Sequence, residues 1–335
     1  MRYSSFVIAI LAVFFFTACS GKQYFEPEKT YSAPVERYSG TIVNLSRDGG
    51  TLKSGNYIGK SGINSLHLGK GYRFLSETNA YVLATNVEGT LKIINKKYKK
   101  TMHTISFGTP VVSASIKNDI VAYVLSNNSF GLYKLSNKTK MIESPSEVIY
   151  AIDTRAPSPI FIDNLAVIPM LDGKLIIVDI YNTDNAKVVY LSSYGAFNNI
   201  IYLSRVGNTL IAATPNKIMT LGDSGQHEYP ANISEVASTH RNVYLFTKEG
   251  KVIRLNHMLE VLAEKKFKFA HFSVATIYDS RVYALDQKGS LIVLSSDLSK
   301  YKIYDIGNVD NPVFIAGSKL YKDRKVIDLS KLGYE

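Results

Sequence analysis

The 335-residue chain carries 39 Lys and Arg against 28 Asp and Glu, a formal charge of +11, with one cysteine and no tryptophan. A lone cysteine excludes a disulfide within the chain. The basic balance favours anionic surfaces such as lipid head groups, lipopolysaccharide or acidic proteins, and says nothing about fold.

Residues 1–18 hold one charge, Arg2, then an apolar stretch from Phe6 to Phe16, and end in Thr17-Ala18 before Cys19-Ser20. This reads as a secretory signal, too short to stay in a bilayer as a spanning helix. Its end resembles the lipobox of bacterial lipoproteins, with Phe16 where an aliphatic residue is usual. The resemblance implies that Cys19 is diacylated, a palmitate-type anchor, and becomes the new N-terminus. Ser20 in place of Asp implies the outer membrane, with the domain facing the periplasm and surface exposure left open. Loss of Arg2 leaves 38 basic and 28 acidic residues, a charge of +10. Nucleic acid is the weaker partner for an exported chain. Residues 21–37, with Pro27 and Pro34 and no sustained period, read as a tether that buries nothing, so 19–38 is lipidated terminus plus linker and 39–335 the domain.

Downstream a strand–turn–strand unit returns again and again. Its clearest copy is Val282–Leu285, a turn at Lys288-Gly289, and Leu291–Leu294, apolar and β-branched strands around a glycine suited to positive φ. Aligned copies put Gly50, Gly89, Phe130, Gly173, Asn216, Gly250, Gly289 and Arg324 in equivalent places, 39, 41, 43, 43, 34, 39 and 35 residues apart. A period near 40 made of strands alone points to an all-β propeller with four strands per blade, a β-sandwich with fortuitous spacing being the bland alternative. Seven blades can be laid out, at 72–107, 109–150, 158–193, 198–230, 232–268, 271–306 and 311–331. The last lacks an outer strand, and Ser39–Ser46 is expected to supply it and close the ring. Gly50 belongs to that segment or to an eighth, short blade.

The stretches Ile168-Pro-Met-Leu-Asp-Gly-Lys-Leu-Ile-Ile-Val-Asp179 and Val282-Tyr-Ala-Leu-Asp-Gln-Lys-Gly-Ser-Leu-Ile-Val293 resemble the repeats of quinoprotein-like propellers. That group includes pyrroloquinoline-quinone dehydrogenases and BamB, the lipoprotein of the outer-membrane β-barrel assembly machinery. Two departures stand out: the group often docks blades with a repeated Trp, absent here, and the BamB-like members typically have eight blades. The resemblance implies a lipid-anchored propeller scaffold of the envelope, with the β-barrel assembly machinery as a possible partner, the protein itself being monomeric within a larger complex.

Reactive constellations are scarce. His67, His103, His227, His240, His257 and His271 fall one or two to a repeat, with no pair at metal-ligand spacing. Ser54–Ser61 imitates a phosphate loop but lacks Gly at 54 and any helix after it. Ser299-Lys300-Tyr301-Lys302 has the Ser-x-x-Lys spacing of acyl enzymes, which on a strand puts the two groups on opposite faces. Asp153, Asp163, Asp172, Asp179 and Asp184 read as turn residues before they read as a calcium cluster. Lys96–Lys100 reads as a solvated link between strands, and the Asn-x-Ser/Thr triplets at Asn44, Asn127, Asn137 and Asn232 as turn chemistry. The expectation is a non-enzymatic binding scaffold with no cofactor, no metal and no catalytic residue, Cys19 being the one assigned site. The alternatives are a quinoprotein-type enzyme or a glycan- or peptidoglycan-binding module.

Overall fold

The hairpin at 280–296 forms as its sequence demands. Strands Arg281–Asp286 and Ser290–Ser295 pair antiparallel, and Gly289 turns between them at φ +91. Its carbonyl accepts from Ile306 N–H at 3.0 Å, so the turn also ties down the chain leaving the outer strand. Gly89, Gly173 and Gly250, at φ +80, +82 and +78, accept in the same way from Phe107, Leu191 and Phe267. One glycine thus serves two connections, because a side chain there would meet the second one.

In the computed structural model, which describes residues 23–145, 156–192 and 198–335, such hairpins build eight antiparallel sheets around a channel. Blades 1 to 7 span 42–64, 73–106, 111–144, 160–190, 202–230, 233–266 and 272–305; blade 8 spans 314–328. Each runs from an inner strand on the channel to an outer strand at the rim. Among the described residues the only helical element is the 3-10 turn Leu329–Lys331.

The second and third strands lie between neighbouring blades and are buried on both faces, which is why they read as unbroken apolar runs. Ser290–Ser295 is buried at every position, whereas the outer strand of blade 4, Asn182–Tyr190, is mostly exposed and polar. Each junction between blades has its own apolar cluster. Tyr57, Phe74 and Val82 join blades 1 and 2, and Phe246, Phe272 and Ile292 join 6 and 7. Ile42 and Ile58 of blade 1 meet Tyr321 and Val326 of blade 8, which closes the ring. In place of Trp, buried tyrosines supply bulk and a donor: Tyr123 donates to Glu143 at 2.7 Å, Tyr244 to the Ser296 carbonyl at 2.7 Å, and Tyr283 to that of Leu329 at 2.9 Å.

Three expectations are corrected. The strand that completes blade 8 is Val35–Arg37, paired antiparallel with Lys325–Ile327, not Ser39–Ser46. Ile42–Leu45, inside that expected segment, is instead the inner strand of blade 1, the short additional blade that the sequence leaves as an alternative, built of three- and four-residue strands. Gly50 opens the second strand of this blade, and its hairpin glycine is Gly55 at φ +85. The stretch read as a tether packs on the rim from Tyr24 onward: Tyr31–Ser32 pairs in parallel with Tyr304–Asp305, making blade 7 five-stranded. Both strands are exposed and only two or three residues long, so their apolar pattern is too short to read.

Candidate interaction site

The inner strands carry more small polar residues than the second and third strands, with Ser76, Ser113, Ser115, Ser204, Ser234 and Ser273 among them. Five of them are bulged against their second strands, at Ile42/Asn44, Phe74/Ser76, Val111/Ser113, Ile233/Glu235 and Phe272/Val274. A bulge re-aims side chains beside a channel or rim. In blade 6 it is followed by Glu235, whose carboxylate receives Arg47 at 3.2 Å from the first turn of blade 1. That turn reaches across the ring a second time, where the Ser158 hydroxyl donates to Asp48. Burial pushes the Asp48 carboxyl up, against the opposing effects of the Ser158 hydroxyl and of Lys60.

The channel is therefore bridged by blade 1 and divided into hollows. One of about 250 Å³ surrounds Arg47 and Glu235. A wider one of about 550 Å³ opens on the face of the first–second turns, beside Asp48, Lys60, Glu77, Lys117 and Arg205. A third, about 420 Å³, opens on the opposite face beside Lys248, Gln287 and Asn311. Glu77 is held by Lys96 at 2.7 Å, the Tyr57 hydroxyl at 3.1 Å and the Lys60 N–H at 2.7 Å. The wider mouth, beside Glu77, is thus an array of fixed charges of both signs, suited to polar ligands or protein loops.

A second feature lies on the rim of blades 6 and 7. The Tyr24 ring sits 4.1 Å from Lys288 Nζ, in the second–third turn of blade 7. Phe25 meets Phe267 edge-on at 5.9 Å, and Phe267 meets Tyr301 at 5.2 Å. Tyr31 lies against Tyr304, with Lys302 Nζ 4.4 Å from its ring. A groove of about 460 Å³ follows the segment between these side chains.

Of the residues singled out in the sequence, Cys19 and Asp153 lie outside the described residues. Ser54–Ser61 is the short hairpin of blade 1, with no helix after it. Ser299 and Lys300 sit in the turn before the outer strand of blade 7; Ser299 donates to Asp297 by both N–H and hydroxyl. Those bonds, led by that of the Ser295 hydroxyl, lower Asp297 to about 2. Asp172 pairs with Lys174, while Asp179 caps Asn164 and Tyr181 at the other end of the blade. The run 96–100 forms the third–outer turn of blade 2, with Lys97 over Tyr98. Among the described residues no three His, Cys, Asp or Glu side chains converge on a point, and no helix is long and apolar enough to cross a membrane. Arg47, Asp48 and Glu235 were not singled out; the one signal was a single charge in the otherwise uncharged strand Ile233–Ser238.

No family model matches the chain. It is 26% identical over 385 residues to the plasminogen-binding protein PgbB of Helicobacter pylori strain J99, spanning 96% of this chain and 71% of that protein. The protein of the same name from strain 26695 is 26% identical over 383 residues, spanning 96% and 70%. Among solved structures, BamB of Moraxella catarrhalis superposes with a TM-score of 0.65 at 14% identity, over 89% of this chain and 98% of that one. The C-terminal WD40 domain of Sif2 gives 0.64 at 14% identity over the same shares, and the computationally designed Ika8 protein 0.61 at 13%, over 92% and 99%. At such identities the likeness is one of fold, and the fold is the eight-bladed propeller of BamB.

Proposed function

We propose that the chain is a lipid-anchored, non-enzymatic propeller that binds proteins at the bacterial envelope. The observation that carries this reading is the match of 96% of the chain to proteins named for binding plasminogen, a macromolecular partner. A bridged channel with charged mouths, and two loop-bearing faces on a rigid ring, provide surfaces for protein loops without any cofactor. Cys19, just before the segment fastened to blade 7, carries the anchor in this reading, and Ser20 directs it to the outer membrane. A second reading, assembly of outer-membrane β-barrels, is favoured by the BamB fold together with the lipobox resemblance.

Cross-linking of the anchored protein in cells, followed by mass spectrometry of what it captures, separates the two. Recovery of barrel-assembly components supports the second. Saturable binding of plasminogen by the intact protein, without such components, supports the first. Labelled palmitate on the wild type and none on Cys19→Ala tests the anchor. Reconstitution with pyrroloquinoline quinone and calcium tests the enzymatic alternative: a stoichiometric quinone that reduces an artificial acceptor would replace the scaffold reading.

A further inference from the structure

We propose that the rim of blades 6 and 7, on the face of the second–third turns, is a membrane-docking edge that takes anionic lipid head groups. The inference rests on the reading of Cys19 as the lipid anchor and adds the orientation of the ring on the bilayer.

The tether is short. Tyr24 is pinned to Lys288, Phe25 packs on Phe267, and Tyr31–Ser32 is a strand of blade 7. Only five peptide steps separate Cys19 from Tyr24, at most about 18 Å fully extended. The Lys288 turn is therefore tethered within about 30 Å of the surface holding the anchor, and the chain is free to bring it inside one Debye length, about 8 Å at physiological ionic strength.

The chemistry at that edge suits the interface. Lys288 is exposed over the Tyr24 ring, and Lys268 is exposed with its Nζ 4.8 Å from the ring of its neighbour Phe269. Lys265 Nζ lies 4.7 Å from Tyr301 and Lys302 Nζ 4.4 Å from Tyr31. Lys302 also donates to the Glu335 carbonyl at 2.6 Å, so the charge offered to phosphate oxygens is that of Lys265, Lys268 and Lys288, and aromatic rings beside lysines favour head-group depth. Phe269 holds a positive φ of +66 in the loop between blades 6 and 7, on the same side as Lys288. Charge alone does not choose this face, since Lys60, Lys117 and Arg205 ring the opposite mouth. The fastened N-terminal segment chooses it.

The absence of Trp makes a clean assay. A single Trp replaces Phe269, or Tyr181, which is 85% exposed in the third–outer turn of blade 4 on the opposite face. The full lipidated proteins are reconstituted on vesicles of phosphatidylglycerol and brominated phosphatidylcholine. Phe269→Trp should be quenched and blue-shifted, and Tyr181→Trp unaffected. Soluble Cys19→Ala protein should bind phosphatidylglycerol vesicles, and adding Lys268→Gln with Lys288→Gln should weaken that binding about 25-fold, roughly five-fold per lysine. Equal quenching at the two positions, or none at Phe269 while Cys19 incorporates palmitate, would overturn the docking edge and leave the anchor standing. Failure of palmitate labelling strikes the anchor instead. The edge then stands or falls on whether soluble protein binds the anionic vesicles through Lys268 and Lys288.

Discussion

Gly289→Ala should be among the most damaging single-methyl changes in the propeller. The residue sits at φ +91, and an added Cβ would overlap the carbonyl oxygen of Gly307. Forcing a side chain into the left-handed region costs roughly 1–2 kcal/mol. Moving the Gly307 connection aside also loosens the bond from Ile306 N–H to the Gly289 carbonyl, worth about 1 kcal/mol. A total of about 2–3 kcal/mol corresponds to a fall in Tm of roughly 5–10 °C in a domain of this size. Gly207→Ala is the control: it also has positive φ, +58, but nothing lies within 4 Å of the new methyl. It should lose about 1 kcal/mol, a few degrees. Scanning calorimetry or circular dichroism of the two variants decides. Equal losses would refute the claim that the close approach between turn and outer connection makes this glycine necessary.

A chain starting at Gly40 lacks the outer strand of blade 8 and should melt several degrees lower and aggregate by light scattering; unchanged melting would show that Val35–Arg37 does not close the ring. Arg47→Ala and Glu235→Ala in a double-mutant cycle should give a coupling of about 1 kcal/mol, since both side chains are mostly sheltered, at 15% and 23% exposure. Asp48 holds its proton above the usual range, so the folded state binds a proton that the unfolded chain loses near pH 4; its contribution falls as pH rises through that window. Asp48→Asn should therefore gain on the wild type as pH rises above about 4, and parallel Tm profiles would count against burial of the charge. The Asp297 carboxyl should titrate near 2 by NMR and move upward in Ser295→Ala.

The hairpins were legible in the sequence because each is local. A tight turn between two apolar runs, glycine in blades 2, 4, 6 and 7 and Asn or Asp-Arg in blades 3, 5 and 8, needs no distant partner to be read, and blades 2 to 8 followed from it. Blade 1 was legible only as one of two alternatives: its strands, such as Gly50–Leu52 and Tyr57–Gly59, are too short to show a period, and Gly50 mimicked the turn glycine actually supplied by Gly55. Nor could Val35–Arg37 be told from linker, because an exposed three-residue strand gains its identity from Lys325–Ile327, nearly 300 positions away. The same holds for Arg47 and Glu235, 188 residues apart and ordinary charges until closure of the ring brings them to 3.2 Å. Hydrogen bonds and apolar alternation within a repeat are encoded by neighbours, so sequence alone determined the blade. Closure, channel bridging and the seating of the N-terminal segment depend on surfaces that exist only once eight blades have packed, and only the tertiary structure decided them.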